Sequence, residues 1–114
     1  MGFGGGNMGK MLMKQMEEMQ RKMERIQREL GEERIEASAG GGMVVAIANG
    51  VGELLEVRIK PEVVDPDDVE MLQDLVTAAV NEALTHALAR REERTSELTG
   101  GLNIPGMGKL PGMF

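Results

Sequence analysis

Apolar residues near the N-terminus recur at spacings of four, three, four, three and four, and this spacing constrains the fold more than any other feature. They lie in KMLMKQMEEMQRKMERIQREL, residues 10–30, which has no proline, glycine or aromatic residue. The spacing is the roughly 3.5-residue repeat of a coiled-coil seam. It predicts a helix that Gly31 ends. The predicted packing residues of this seam are Leu12, Met16, Met19, Met23, Ile26 and Leu30.

The same helix carries cations on the side opposite the seam. Three bases fall at heptad position f and three on the flanks, and they are Lys14, Arg21 and Arg28, then Lys10, Lys22 and Arg25. Residues 10–28 contain these six bases and three acids, a net charge of +3, whereas the whole chain has −6. A DNA duplex approaching this side would meet a line of cations, although the bulk charge repels polyanions.

An ordinary solvated helix is the alternative interpretation of these charges. Three acids stand four residues before a base, which is the favourable order for helix ion pairs worth a few tenths of a kcal/mol. The pairs are Glu17 with Arg21, Glu18 with Lys22, and Glu24 with Arg28. The spacing alone therefore leaves both interpretations open.

The methionines of this stretch could in principle bind a soft metal such as Cu(I) through their thioethers. They share the seam with leucine and isoleucine, however, and a ligand cluster would not need that company. Methionine is unbranched and adaptable, which suits an exchangeable helix contact. We interpret the stripe as packing and expect no metal site.

Three strands are predicted after the helix, over residues 34–39, 43–48 and 55–59. Gly40, Gly41 and Gly42 turn the chain between the first two strands. Asn49-Gly50 is a hairpin signal, because both residues tolerate positive φ. The second strand is apolar on both faces, which suits a central strand. These features predict a three-stranded antiparallel meander.

A long second helix is predicted over residues 66–98. Asp65 is placed to cap it and Pro66 fits the first helical position. Gly100-Gly101 would end it. Its last turns hold a second basic cluster, diluted by neighbouring acids; the bases are Arg90, Arg91 and Arg94.

The predicted elements differ in size, and this bears on assembly. The helices would be roughly 30 and 50 Å long, whereas the sheet would measure only about 15 by 23 Å. The helices therefore overhang the sheet. Val44, Ala46 and Ala48 would also leave its second face apolar and open to close approach. We expect a homodimer.

Composition excludes several classes of function. The chain has no Cys, Trp or Tyr and one His, His86, so few groups remain for acid–base catalysis. GGGNMGK, residues 4–10, resembles a phosphate loop, but Met11 stands where Ser or Thr must ligate Mg²⁺. No apolar run approaches the roughly 18 residues that a membrane span needs. We expect a cytoplasmic protein that is not an enzyme, has no cofactor or small-molecule substrate, and does not enter a membrane.

The order of several motifs resembles the YbaB/EbfC family of bacterial nucleoid-associated proteins. The motifs are KMLMKQMEEMQRKM, GGGMVVAIANG, VRIKPEVV, DVEMLQDLVTAAVNEAL and LPGMF. The resemblance covers the whole chain, as a single domain 1–114 with mobile tails at residues 1–9 and 100–114. It implies an α+β homodimer, shaped like tweezers, that binds double-stranded DNA with little sequence preference and organises the nucleoid.

Carried over by position, the resemblance assigns DNA contact to the projecting helices. Those helices hold Lys10, Lys14, Arg21, Lys22, Arg25 and Arg28, then Arg90, Arg91 and Arg94. The rival hypothesis is a dimeric interaction scaffold, in which the methionine seam and the Gly/Pro/Met tail dock a protein partner. Salt-dependent DNA binding would separate the two.

Overall fold

The computed structural model describes residues 5–98, which form two long helices and a small sheet. Helix α1 spans Gly5–Glu32 and helix α2 spans Val69–Ser96. Strands β1 (Ile35–Ala39), β2 (Val44–Ala48) and β3 (Leu54–Ile59) lie between them, followed by a 3₁₀ turn, Pro61–Val63. The predicted α+β order is confirmed. Of the two tails predicted to be mobile, residues 1–4 and 100–114 lie outside the described residues, whereas residues 5–9 belong to α1, which begins earlier than predicted.

The sheet has the order β1-β2-β3, and both neighbouring pairs are antiparallel, as predicted. Ala46 of central β2 lies between Ala37 of β1 and Val57 of β3. The three-glycine turn joins β1 to β2, and each of its glycines has positive φ, between 64° and 91°. Because other residues rarely adopt that conformation, the glycine run sets where the first hairpin turns.

Small residues form the contact between α2 and the sheet. Ala79, Ala83 and Ala87, four residues apart on α2, are fully buried. They belong to one core cluster with Val44, Ala46 and Ala48 of β2. Alanine faces let a helix approach a sheet closely, which the tight packing of protein interiors rewards. Our expectation that these three β2 residues remain open to a second subunit is therefore wrong, because α2 of the same chain covers them.

The C-terminal end of α1 is fixed to the loop between β2 and β3. Ile26 and Leu30 are buried. The Gly50 N–H donates to the Leu30 carbonyl oxygen over 2.7 Å. A Cβ on Gly50 would lie 2.7 Å from Leu30 Cδ2, so only glycine allows this approach. The remaining length of α1 leads away from this anchor, with every side chain from Asn7 to Arg25 exposed.

The loop after β2 does not use Asn49 and Gly50 in the way that we predicted from their tolerance of positive φ. Neither Asn49 nor Gly50 has positive φ; Gly52 does, at 93°. The Asn49 side-chain oxygen instead accepts from the N–H groups of Val51 and Glu53, at 3.1 and 3.0 Å. Asparagine here organises a longer loop through its side chain, which is the second way in which this residue makes turns.

Helix α2 begins later than predicted, at Val69. Asp68 is its N-cap and accepts from the Met71 N–H at 3.2 Å. Asp65 accepts from the Asp67 N–H at 2.9 Å and so closes a turn before the helix. Asp68 therefore caps the helix, whereas Asp65 stabilises the turn before it. Both positions suit Asp, so the sequence alone did not show which of the two residues begins the helix.

Candidate nucleic-acid interface

The six bases of α1 are all exposed. At about 100° per residue, five of them fall within an arc of about 60° on the side opposite the buried Ile26 and Leu30. These five are Lys10, Lys14, Arg21, Arg25 and Arg28, and Lys22 flanks them. From Lys10 to Arg28 the row extends about 27 Å along the helix axis. We call this surface the cationic face of α1.

No base of the cationic face forms an ion pair with another described residue, and neither does Lys22. The three acid–base pairs expected at four-residue spacing are therefore not formed within residues 5–98. Two arginines at the sheet are paired instead: Arg34 Nη2 lies 3.2 Å from Glu56 Oε1, and Arg58 Nε lies 2.6 Å from Glu56 Oε2. The α1 cations thus remain available to an anion in solution.

A groove lies beside the cationic face, between α1 and Leu98, which follows the end of α2. Its volume is about 620 Å³. Four bases and two acids line it, giving a local charge of +2; the bases are Arg21, Lys22, Arg25 and Arg28. The groove is open to solvent, so it suits an extended polyanion better than an enclosed small ligand.

The second predicted basic cluster is engaged differently. The Arg94 side chain is only 15% exposed, and its Nη2 donates to Glu29 Oε1 at 2.6 Å. The Arg90 Nε donates to Glu33 Oε1 at 2.7 Å. Arg91 is exposed and forms no ion pair within residues 5–98. Arg90 and Arg94 therefore join α2 to the end of α1, a role that the sequence analysis did not identify.

These contacts shift the protonation equilibria of the paired groups. The hydrogen bond from Arg94 lowers the pKa of Glu29 below its ordinary value of 4.5. The same bond raises the pKa of Arg94, and the Glu33 hydrogen bond raises that of Arg90. All three shifts favour the charged forms, so the ion pairs persist at neutral pH.

The outer seam residues of α1 remain exposed in the single chain. Ile26 and Leu30 are buried, but the fractional exposures are 55% for Leu12, 69% for Met16, 42% for Met19 and 46% for Met23. We call these four residues the methionine face. It lies opposite the cationic face, so α1 presents one apolar and one charged side to its surroundings.

The described residues offer few groups for chemistry. His86 is exposed, and its Nε2 lies 3.8 Å from Oε1 of Glu82, one turn away on α2. Residues 5–98 contain no cluster of three or more potential metal-ligating side chains. Among the described helices, none has the length and apolarity to cross a membrane.

Comparison with known proteins identifies the family. The model of the YbaB/EbfC DNA-binding family matches residues 4–102, a range that includes all of the described residues 5–98. This chain belongs to the YbaB/EbfC family. The resemblance found in the sequence is thereby confirmed. The prediction that the protein is not an enzyme is also confirmed, because YbaB/EbfC is a family of DNA-binding proteins and not of enzymes.

Relatives of this YbaB/EbfC chain support the same assignment. A nucleoid-associated protein of Acetivibrio thermocellus is 56% identical over 113 residues, covering 99% of this chain and 94% of that protein. A nucleoid-associated protein of Pelotomaculum thermopropionicum is 53% identical, covering 90% and 97%. The crystal structure of an uncharacterized protein from Helicobacter pylori shares the fold, with a TM-score of 0.57 and 23% identity over 76% of this chain and 96% of that one.

Proposed function

We propose that this YbaB/EbfC protein is a cytoplasmic, nucleoid-associated protein that binds double-stranded DNA through phosphate contacts with α1. One observation carries the proposal: the cationic face is exposed and free of ion pairs among residues 5–98, in a chain of net charge −6. Outside residues 10–28 the chain has seven bases and sixteen acids, a net −9, so this charge separation orients the molecule. The family match and the names of the relatives agree with it.

The mechanism is counterion release from the duplex. Each phosphate that a Lys or Arg neutralises frees condensed cations, so affinity falls steeply with salt. Four to six contacts would give a log–log slope near −4 to −5, at about 0.9 per phosphate. A row about 27 Å long has room for that number of contacts.

Little base readout is expected from this surface. Side chains that read base edges in the major groove are typically Arg to guanine and Asn or Gln to adenine. Gln20 and Gln27 fall about 80° and 60° from the centre of the seam, so they lie away from the cationic face. The Lys and Arg side chains of the cationic face can contact phosphates on any sequence, which fits a largely sequence-tolerant organiser of the nucleoid.

The proposal includes a homodimer, and the sheet offers a surface for it. α2 leaves β3 incompletely covered, with Leu55 46% and Ile59 40% exposed. Val64 and Val69, also exposed, follow β3 in the chain. β3 is also an edge strand, and natural proteins usually cover apolar edges. A second copy that covered this surface would let two α1 helices project from one body, as in the tweezer arrangement that the family resemblance implies.

The scaffold hypothesis remains the second candidate, because the methionine face is exposed. Met13, Met16, Met19 and Met23 line an open apolar cleft of about 390 Å³. Adaptable methionine surfaces suit protein partners. Binding of the full-length protein to duplex DNA at two salt concentrations decides between the candidates. DNA binding that weakens with salt supports the nucleoid proposal, and no binding at the lower concentration contradicts it.

A further inference from the structure

The methionine face lacks a cover among the described residues. Its cleft is lined by four methionines together with Glu17 and Gln20. Contiguous exposed apolar surface on a soluble protein usually marks a contact site. This face is therefore expected to be covered by another segment or chain.

The end of α2 brings the chain's own continuation to this place. Leu98, the last described residue, lines the groove beside the cationic face together with Met19, and it lines a further cleft with Met23, so it borders the methionine face. Arg90 of α2 pairs with Glu33, and Arg94, one turn further along α2, pairs with Glu29, one turn further back toward the start of α1. The two helix ends thus run antiparallel. A chain that continues from Leu98 in the same direction passes along α1 toward Leu12.

The length and pattern of the next segment suit the methionine face. Residues 99–114 follow Leu98, and in them an apolar residue recurs at every third position, at Ile104, Met107, Leu110 and Met113. A polyproline II segment has three residues per turn and would place these four on one side. Ile104 and Met113 would then be about 28 Å apart, and the α1 surface from Met23 to Met8 is about 22 Å long.

Charge is compatible with the same arrangement. Residues 99–114 contain one base, Lys109, and no acid. The cleft contains one acid, Glu17, and no base. A docked segment would therefore bring a cation to a carboxylate and would bury no like-charged pair.

We propose that residues 99–114 dock on the methionine face of α1 in the same chain, with the three-residue apolar repeat against Met16, Met19 and Met23. The docked segment lies on the side of α1 opposite the cationic face. It begins beside Leu98, which borders the groove next to that face, so the docking is tested by a measurement that does not use DNA.

Methionine methyl resonances of the full-length protein test the proposal. The chain has no cysteine, so Gly112→Cys provides a single attachment point for a nitroxide and preserves every apolar side chain of the repeat. With ¹³C-methyl methionine, we expect severalfold stronger broadening of Met16, Met19 and Met23 than of Met71. Met71 is the matched control, because it lies near the start of α2, about 37 Å from the end of that helix.

Three further samples make the result decisive. Adding Met107→Gln and Leu110→Gln should abolish the broadening on α1, whereas adding Lys109→Gln should preserve most of it. A mixture of nitroxide-labelled chains without ¹³C and ¹³C-labelled chains without nitroxide should show none. Equal broadening of Met71 and Met16, no broadening on α1, or broadening in the mixture as strong as within one chain would overturn docking within the chain. The last of these would identify a second copy as the occupant.

Discussion

Arg94, near the end of α2, donates from its Nη2 to Glu29 Oε1, near the end of α1, over 2.6 Å. The two residues are 65 positions apart in the sequence, and their contact joins the two helices. Arg90 and Glu33 form a second pair beside it, at 2.7 Å. Together they hold the root of α1, from which the cationic face projects. The direction in which α1 leaves the body thus depends on charged groups as well as on the buried Leu30.

Loss of this anchor should loosen α1 at its root. We expect Arg94→Ala to increase amide exchange severalfold in residues 25–32, because Glu29 loses its partner and Glu33 loses a contact at 3.6 Å. Arg91→Ala is the matched control, since Arg91 is exposed and forms no ion pair within residues 5–98. Hydrogen exchange measured by mass spectrometry compares the two variants. Equal exchange in both would contradict an anchoring role for Arg94.

The same pair predicts a pH dependence. The pKa of Glu29 is lowered from 4.5 by its hydrogen bond to Arg94, so the folded protein binds that proton less readily than the unfolded chain. The resulting stabilisation is present above about pH 4.5 and is lost as pH falls through the lowered pKa. The melting temperature of Glu29→Gln should therefore lie below that of the parent protein at pH 7. The gap should close at acid pH, and a gap that stays constant from pH 7 to pH 3 would rule out this linkage.

Two glycines at the root of α1 should respond to alanine with opposite signs. A Cβ at position 50 would lie 2.7 Å from Leu30 Cδ2 and 3.0 Å from the Leu30 carbonyl oxygen. We expect Gly50→Ala to destabilise by about 1–3 kcal/mol, as overpacking does. Gly31 is helical and has open space around it, so Gly31→Ala should stabilise by roughly 0.5–1 kcal/mol. Urea unfolding measures both, and the same sign for both would contradict the packing described.

Much of this architecture could be predicted from local patterns. The seam period and the glycine run identified α1 and the first hairpin, and the apolar run identified β2 as the central strand. The contacts of Arg90 and Arg94 with α1 were not predictable, because pairs separated by more than 50 residues leave no periodic signal. Likewise, no pattern distinguished whether Val44 faces α2 or a second subunit. The spacing alone placed the cations of α1 on one side of the helix, but only the three-dimensional structure shows that they form no ion pairs among residues 5–98.

The alanine contact between α2 and the sheet should tolerate little added volume. Ala83 is fully buried against the sheet, so Ala83→Leu should cost about 1–3 kcal/mol. Ala78→Leu is the matched control on the exposed side of the same helix and should change stability by less than about 0.5 kcal/mol. Urea midpoints of the two variants give the comparison. Similar midpoints would show that α2 does not approach the sheet through its alanines.

The central claim is tested most directly by the salt dependence of duplex DNA binding for Lys14→Gln/Arg21→Gln/Arg28→Gln. The matched control is Arg34→Gln/Arg58→Gln/Lys60→Gln, which removes the same charge from outside α1. Three lost phosphate contacts should weaken binding at low salt and reduce the magnitude of the log–log slope by about 2.7, whereas the control should keep most of the parent slope. If the α1 variant kept the salt slope of the parent protein, or if both variants lost the same affinity and slope, DNA binding through the cationic face would be contradicted.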